Sequence, residues 1–545
     1  SKQISAEGVG RIVVVSDEPD KYSDNLDWAP QVEIFHRREL ERLQLELREI
    51  TGVTAIIYDQ TCAAEKRRRR KRGLYPDPAR RAFINDAVCE GCGDCNMASN
   101  CVAVRPFDTP LGRKRIIDQS SCNKDFSCLE GFCPSFVTIE GGSLRKSEPP
   151  VIEGDNPALG LPDPEPPKIG EAYNILLTGI GGTGVITVGA NLGMAAHLEG
   201  KGCAVLDQTG LSQKNGAVMS HVAITNDPER ILGTRIGTAM SDVVIGFDMV
   251  VAAGKDATNT MSMTRTKAVI NDHLVPLAAF AERPDMPLEA GLYTDVISAS
   301  LGDGQVDFFD ATTQVSKLLG DSIASNTFQL GYAFQKGYIP LKARSIEEAI
   351  RLNGVAVELN LRAFSWGRVA AENPEKLNAL IGPSDTHSDD DFNLDAFIQD
   401  RFLDLIKYQN TSYAESYSDF INKIRVALKK NDLDDNSLLE ATARSLFKLM
   451  AYKDEYEVAR AYTDKSYRLK LEAQFDGDYK IKFHFAPPLF AARDPVTGQP
   501  LKKEYGSWMW WALKTLAPLK ILRGSVFDPF GYLEERKKER KLIFN

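Results

Sequence analysis

The chain has 545 residues, 43% apolar and 26% charged, and its 75 acidic against 66 basic side chains leave a formal net charge of −9. That composition is ordinary for a soluble globular protein of three or four domains. The acidic balance argues against general nucleic-acid affinity, and no apolar run approaches the ~18 residues needed to span a membrane.

The chain opens at Ser1, and a core-type strand follows almost at once over 11–16 (RIVVVS), as though continuing something upstream. Residues 37–50 have helical periodicity, with Leu40, Leu43, Leu45 and Leu47 set among charges, and a second β-branched run follows at 53–58. Strand, helix and strand read as the closing unit of an α/β sheet. Cys62 reads as a small buried residue rather than a ligand. Lys66 to Arg72 are seven consecutive basic residues. Such a run is usually a solvated or interface face, and it also suits docking of an acidic redox carrier.

Between positions 89 and 133 lie seven of the nine cysteines. Cys89, Cys92 and Cys95 are separated by two residues each, and Cys133 is followed by Pro134. This is the bacterial ferredoxin pattern, in which short loops let three thiolates converge on one cubane and a remote Cys-Pro completes it. The second half, Cys122-x2-Asp125-x2-Cys128-x4-Cys133, repeats the frame with an aspartate in the middle position. Because the last cysteine of each run ligates the other cluster, Cys89, Cys92, Cys95 and Cys133 are assigned to a first 4Fe–4S centre. Cys101, Cys122, Cys128 and Asp125 are assigned to a second. A carboxylate is a harder and weaker iron ligand, so the second centre can lose one iron to a three-iron form. Zinc sites would show two CxxC pairs far apart, and a disulfide framework would want a secreted context. No secretory leader is evident, and a thiol-rich centre implies a reducing compartment, with the cytoplasm as the default.

Residues 144–170 hold seven prolines and several acids, the composition of an extended linker. A strand at 174–178 then runs into GIGGTG, so that Gly179, Gly181 and Gly184 match G-x-G-x-x-G, with Gly182 between them. A second strand ends at Asp207. In a dinucleotide fold these glycines allow the tight turn, and an acid at Asp207 would meet the ribose. The fold alone does not fix the ligand. Residues 209–224 read as a polar, ligand-facing loop carrying Ser212, Gln213, Lys214 and Asn215, with His221 a structural histidine. Further strands are expected at 242–247, 267–271 and 305–310. From Ile346 the pattern is mainly helical, with an acidic break at 384–392, a hairpin at 479–486 and a tryptophan-rich helix after Ser507. No catalytic constellation is visible in this last third.

With these stretches together, the sequence resembles the C-terminal half of the fused bacterial indolepyruvate ferredoxin oxidoreductases, within the 2-oxoacid:ferredoxin oxidoreductase family. The matching segments include RIVVVSDEPDKY, VCEGCGDC, DQSSCNKDFSC, GFCPSF, GIGGTGV, TGLSQKNGAVMSH and LMAYKDEYEVAR. The resemblance implies a multidomain α/β architecture. Residues 1–75 would end a thiamine-diphosphate domain, 76–145 form a ferredoxin-like module, and 146–170 the linker. Residues 171–370 would be a Rossmann-like, gamma-subunit-type domain and 371–545 a mainly helical domain with an assembly role. It implies oxidative decarboxylation of an aryl 2-oxoacid to an aryl-acetyl-CoA and CO2, with coenzyme A as cosubstrate and ferredoxin as electron acceptor. The thiamine diphosphate and Mg2+ motif, and with it the catalytic residues, is expected upstream of Ser1. Gly179 to Gly184 then become structural or coenzyme-contacting, and a homo-oligomer or an assembly with the upstream half is expected, without nucleic acid or membrane.

Two other readings compete. An NAD(P)-linked iron–sulfur reductase would use GxGxxG and Asp207 for a nucleotide. A zinc-stabilised binding module would turn Lys66 to Arg72 toward an acidic partner or nucleic acid.

Overall fold

The computed structural model describes residues 1–22, 27–101, 103–131, 133–145, 157–209, 216–230, 233–274, 283, 290–302, 304–382, 393–431, 436–487, 491–493, 498 and 500–544. The chain divides into two compact units, 1–78 and 79–545. The acidic break at 384–392 lies outside the described residues.

In the first unit the run RIVVVS forms β1 (Arg11–Ser16), central in a parallel three-stranded sheet between β2 (Glu33–His36) and β3 (Thr54–Asp59). The helix Leu40–Arg48 buries Leu43 and Leu47 against Val13 and Val15. Leu45, two positions away, falls on the opposite side of the helical turn and is exposed. The basic run is itself helical, Ala63–Lys71, and it is not uniformly solvated. Lys66 pairs with Asp17 at 3.1 Å, and Lys66 and Arg70 both lie over the Tyr75 ring at 5.5 Å. Arg68 and Arg69 turn outward toward Glu65. Cys62, expected to be buried, is exposed: it caps the start of a helix that has no apolar stripe to carry it inward.

In the second unit β4 (Arg80–Ile84), the hairpin of β5 (Val104–Thr109) and β6 (Gly112–Ile117), and β7 (Phe136–Leu144) frame the cysteines. β8 (Tyr173–Ile180), β9 (Gly202–Thr209), β10 (Ala217–Thr225), β11 (Val243–Gly246), β12 (Lys267–Asn271) and β13 (Val306–Phe309) make a six-stranded sheet in the order β13-β12-β11-β8-β10-β9. β8, β11, β12 and β13 run parallel, while β10 is antiparallel to both its neighbours. The central strands are near-continuous apolar runs because helices cover both faces. On one face, helices Val185–Leu198, Ser325–Gln335 and Ala343–Asn353 bury Leu192, Leu330 and Ile346. Helices Ser325–Gln335 and Val357–Glu372 touch backbone to backbone. A Cβ on Gly367 would stand 1.9 Å from the Phe328 carbonyl oxygen.

The described end of the proline-rich stretch packs on this domain. Ala158 is buried with Trp366 and Leu377, and the Pro162 carbonyl accepts from Gln335 at 3.0 Å and Arg368 at 3.3 Å.

The last third contributes helices Leu394–Tyr408, Thr411–Lys430 and Asn436–Met450 around Leu405, Tyr408 and Tyr417. It also contributes two strands, β14 (Phe475–Phe485) and β15 (Lys503–Tyr505), that complete the sheet β15-β14-β7-β4. The hairpin expected at 479–486 is therefore one continuous strand. Its pairing with β7 carries one break in register, between Asp476 and Tyr479. In the tryptophan-rich helix Met509–Leu516, Leu513 is buried and Trp510 packs on the same core, while Trp508 and Trp511 face outward. No helix among the described residues is long and apolar enough to cross a membrane.

Candidate functional site

The cysteine site is built from loops laid on short strands. Gly91, with φ 71°, lets the Cys89–Cys92 loop lie on β6; a Cβ there would be 2.1 Å from the Arg113 carbonyl oxygen. The helix Asp94–Ser99 starts after Gly93 in the left-handed region and carries Cys95 inward. Cys89, Cys95 and Cys128 are buried, Cys101, Cys122 and Cys133 half-buried, and Cys92 opens to the surface.

The charges each thiol feels sort the cysteines into two groups. Cys89 acts on Cys95 and Cys133, and Cys92 feels Cys133. Burial pushes the Cys95 thiol up to about 12, with Cys133, Cys89 and Cys92 adding to the rise. In the other group burial raises Cys128 most, with Cys101, Cys122 and Asp125 acting in the same direction, and Cys95 joins the two groups. Asp125 is exposed, and its carboxylate accepts from the Ser127 N–H at 3.3 Å.

The surroundings suit thiolate ligands. The Gly91 N–H points at the Cys89 sulfur at 3.3 Å, the Lys124 N–H at the Cys122 sulfur at 3.4 Å, and the Ser135 hydroxyl lies 3.0 Å from the Cys133 sulfur. Such contacts are strong only when the sulfur carries charge. Three cations close around the thiols. Arg115, 1% exposed, donates to Asn96 at 3.1 Å and feels Cys95, Cys89 and Cys92; Lys114 is buried beside it. Lys502 donates to the Cys133 carbonyl at 3.1 Å. Burial pushes its ammonium down to about 8, and the charges of Cys133, Cys128 and Cys95 act the other way. Among the described residues no three His, Cys, Asp or Glu side chains close around a single ion. A cubane spreads its ligands over separate irons and needs no such convergence. Sequence spacing exposed the thiols but not these cations; Lys114 and Arg115 had a signal, the RKR at 113–115, and Lys502 had none.

The glycine loop joins β8 to the helix Val185–Leu198, with Gly182 and Gly184 at φ 86° and 102°. A Cβ on Gly179 would meet Val185 at 2.7 Å, and Gly181 donates its N–H to the Gly216 carbonyl at 2.9 Å. The loop lies at the carboxyl end of β8, where the sheet's parallel connections diverge. Asp207 does not meet a ribose there. The antiparallel β10 is inserted between β8 and β9, so Asp207 pairs with Ser220 on an edge strand two strands away, roughly 10 Å across the sheet. Residues 217–224, read as loop, are strand. Ser212, Gln213, Lys214 and Asn215 lie outside the described residues.

His221 is structural. Its Nδ1 accepts from the Ile236 N–H at 3.3 Å, its Nε2 lies 3.3 Å from Gln208 Oε1, and burial, with Arg235 nearby, lowers its pKa. It lines a pocket of about 250 Å3 with Gln208, Met219, Arg235 and Asp256, which no sequence motif signalled.

Comparison with known proteins gives two family matches. Residues 174–370 match the model described as pyruvate ferredoxin/flavodoxin oxidoreductase, and residues 394–545 match a family of unknown function. The chain is similar to the indolepyruvate oxidoreductase subunit IorB of Pyrococcus horikoshii, 28% identical over 215 residues, covering 38% of this chain and 98% of that protein. The subunit of the same name from Thermococcus kodakarensis is 26% identical over 210 residues, covering 37% of this chain and 96% of that protein. Among solved structures, the gamma subunit of a keto/oxoacid ferredoxin oxidoreductase from Geobacter sulfurreducens is 20% identical, with a TM-score of 0.27, and covers 37% of this chain and 98% of that one.

Proposed function

We propose, from the premise that this chain belongs to the 2-oxoacid:ferredoxin oxidoreductase family, that it serves the oxidative decarboxylation of aryl 2-oxoacids such as indolepyruvate. The gathering of seven cysteines and Asp125 into two charge-coupled groups among cations carries the electron-transfer part of this reading. The names of the IorB relatives support the aryl substrate.

In the reaction, a 2-oxoacid and coenzyme A yield an acyl-CoA, CO2 and a proton, and two ferredoxins take one electron each. Thiamine diphosphate, when bound, supplies the carbanion chemistry. Residues 1–75 would form the end of its domain. Cys89, Cys92, Cys95 and Cys133 would hold one four-iron centre, and Cys101, Cys122 and Cys128, with Asp125, the other. The domain over 171–370 would close on the substrate or coenzyme side, with Gly179 to Gly184 in a structural or coenzyme-contacting role. The displacement of Asp207 removes one of the two features that favoured an NAD(P) site.

Anaerobic iron and sulfide quantification with EPR of the reduced chain tests this. Two four-iron centres give about eight irons per chain, and a three-iron form at the aspartate site gives about seven. Asp125→Cys should then raise the count toward eight. Zinc in place of iron, with no EPR signal, defeats the reading. Substrate class is read from coenzyme A-dependent ferredoxin reduction by the assembled enzyme. Indolepyruvate should outpace pyruvate, and the reverse order defeats the aryl assignment.

A further inference from the structure

Lys502 belongs to the C-terminal region that matches a family of unknown function, yet its ammonium reaches the backbone of Cys133. It donates to the Cys133 carbonyl at 3.1 Å and lies over the Phe136 ring at 5.4 Å. Among the described residues no carboxylate forms an ion pair with it. The nearest in sequence, Glu504, is engaged by Arg80 at 2.5 Å and Lys482 at 2.7 Å. The thiols whose charges reach Lys502 are Cys133, Cys128 and Cys95, and Lys502 in turn acts on His484. A partly buried ammonium without a carboxylate is costly unless another anion stands beside it.

The same region locks the end of the cysteine run from two further sides. Tyr462, fully buried among Tyr467, Phe483 and Phe485, donates its hydroxyl to the Pro134 carbonyl at 2.7 Å. β15, which Lys502 directly precedes, is held through β14 to β7. The cation is thus delivered by a built scaffold, and a cluster held by these thiols would supply its counter-charge.

We infer that Lys502 is a positioning residue by which the C-terminal domain raises the reduction potential of the iron–sulfur centre closed by Cys133. Reduction adds one electron and breaks no bond. The electron comes from oxoacid oxidation and leaves to ferredoxin. A fixed cation beside the ligands favours the more negative, reduced form.

This inference rests on the iron–sulfur reading above, and the test separates the two. In the full chain, purified anaerobically, the potential is titrated by EPR at pH 7 for the parent, Lys502→Met, Lys502→Gln and Lys502→Arg. A parent without iron defeats the underlying reading, not this step alone. With iron present, the neutral variants should lower the reduction equilibrium constant about tenfold, which is 59 mV for one electron. Lys502→Arg should stay within about twofold of the parent. Loss of iron from both neutral variants but not from Lys502→Arg also supports the role of charge. An unchanged potential in iron-replete Lys502→Met overturns it, as does an equal fall, or iron loss, in all three variants.

Discussion

In the glycine-loop domain β8 has strands on both sides, and Ile175, Leu176 and Leu177 are wholly buried between two helical layers drawn from the same stretch of chain. The cysteine module supplies only β4 and β7 to its main sheet and takes β14 and β15 from the far end of the sequence, Phe475 facing Leu144. One region completes its core locally. The other packs its thiols among its own Ile84, Val104, Ile117 and Phe136, and completes a second core only with Tyr462, Phe475 and Phe483 of the C-terminal region. The cysteine module is thereby tied to the stability of a distant part of the chain.

The sharpest way to break this comparison is Gly91→Ala. The added Cβ collides with the Arg113 carbonyl oxygen at a positive φ, so the Cys89–Cys92 loop must lift off β6. Iron of the first centre should be lost almost entirely, while a calorimetric transition of the glycine-loop domain persists. Full iron content would show that the loop tolerates the shift.

Gly367→Ala makes the opposite test. Forcing the helices Ser325–Gln335 and Val357–Glu372 apart should cost roughly 3 kcal/mol. It should lower the melting transition of the glycine-loop domain with iron content unchanged.

Tyr462→Phe is milder. It removes the hydroxyl bond to Pro134 and leaves the ring in place, and should destabilise the cysteine module by about 1 kcal/mol in denaturant titration followed by cluster absorbance. An effect confined to the helical C-terminal region would argue that the two do not unfold together.

The smallest effect is in acid. Burial would raise the Glu457 carboxyl, but hydrogen bonds from Arg460 at 2.6 and 2.8 Å, with the Arg460 and Lys453 charges, hold it below the usual range. Its folded-state pKa is depressed, so the unfolded chain takes the proton first. The stabilisation is complete above the ordinary glutamate value, about 4.3, and is lost as pH falls through the folded value. Glu457→Gln should flatten this acid limb in melts between roughly pH 5 and 3.

Much of the fold was legible in the chain. The β-branched runs at 11–16 and 267–271 are strands with those bounds, and the glycine loop joins a strand to a helix. What escaped came from pairing at a distance. Nothing near Asp207 announces that β10 will insert beside β8. The polar composition of residues 209–224 hid a strand whose buried Ser220 and His221 are satisfied or packed by neighbours not adjacent in sequence. Cys62 was misjudged because cysteine is most often buried, whereas a cap position on a helix made of basic residues faces water.

The sequence by itself set the spacing of the thiols. Two-residue spacings allow few loop geometries, and a ligand set that must converge leaves a repeating pattern in the chain. Only the tertiary structure decided what meets the edge of that set. Lys502, Tyr462 and β14 reach it through hydrogen bonds and strand pairing between residues hundreds of positions apart, contacts that leave no periodic mark on the sequence.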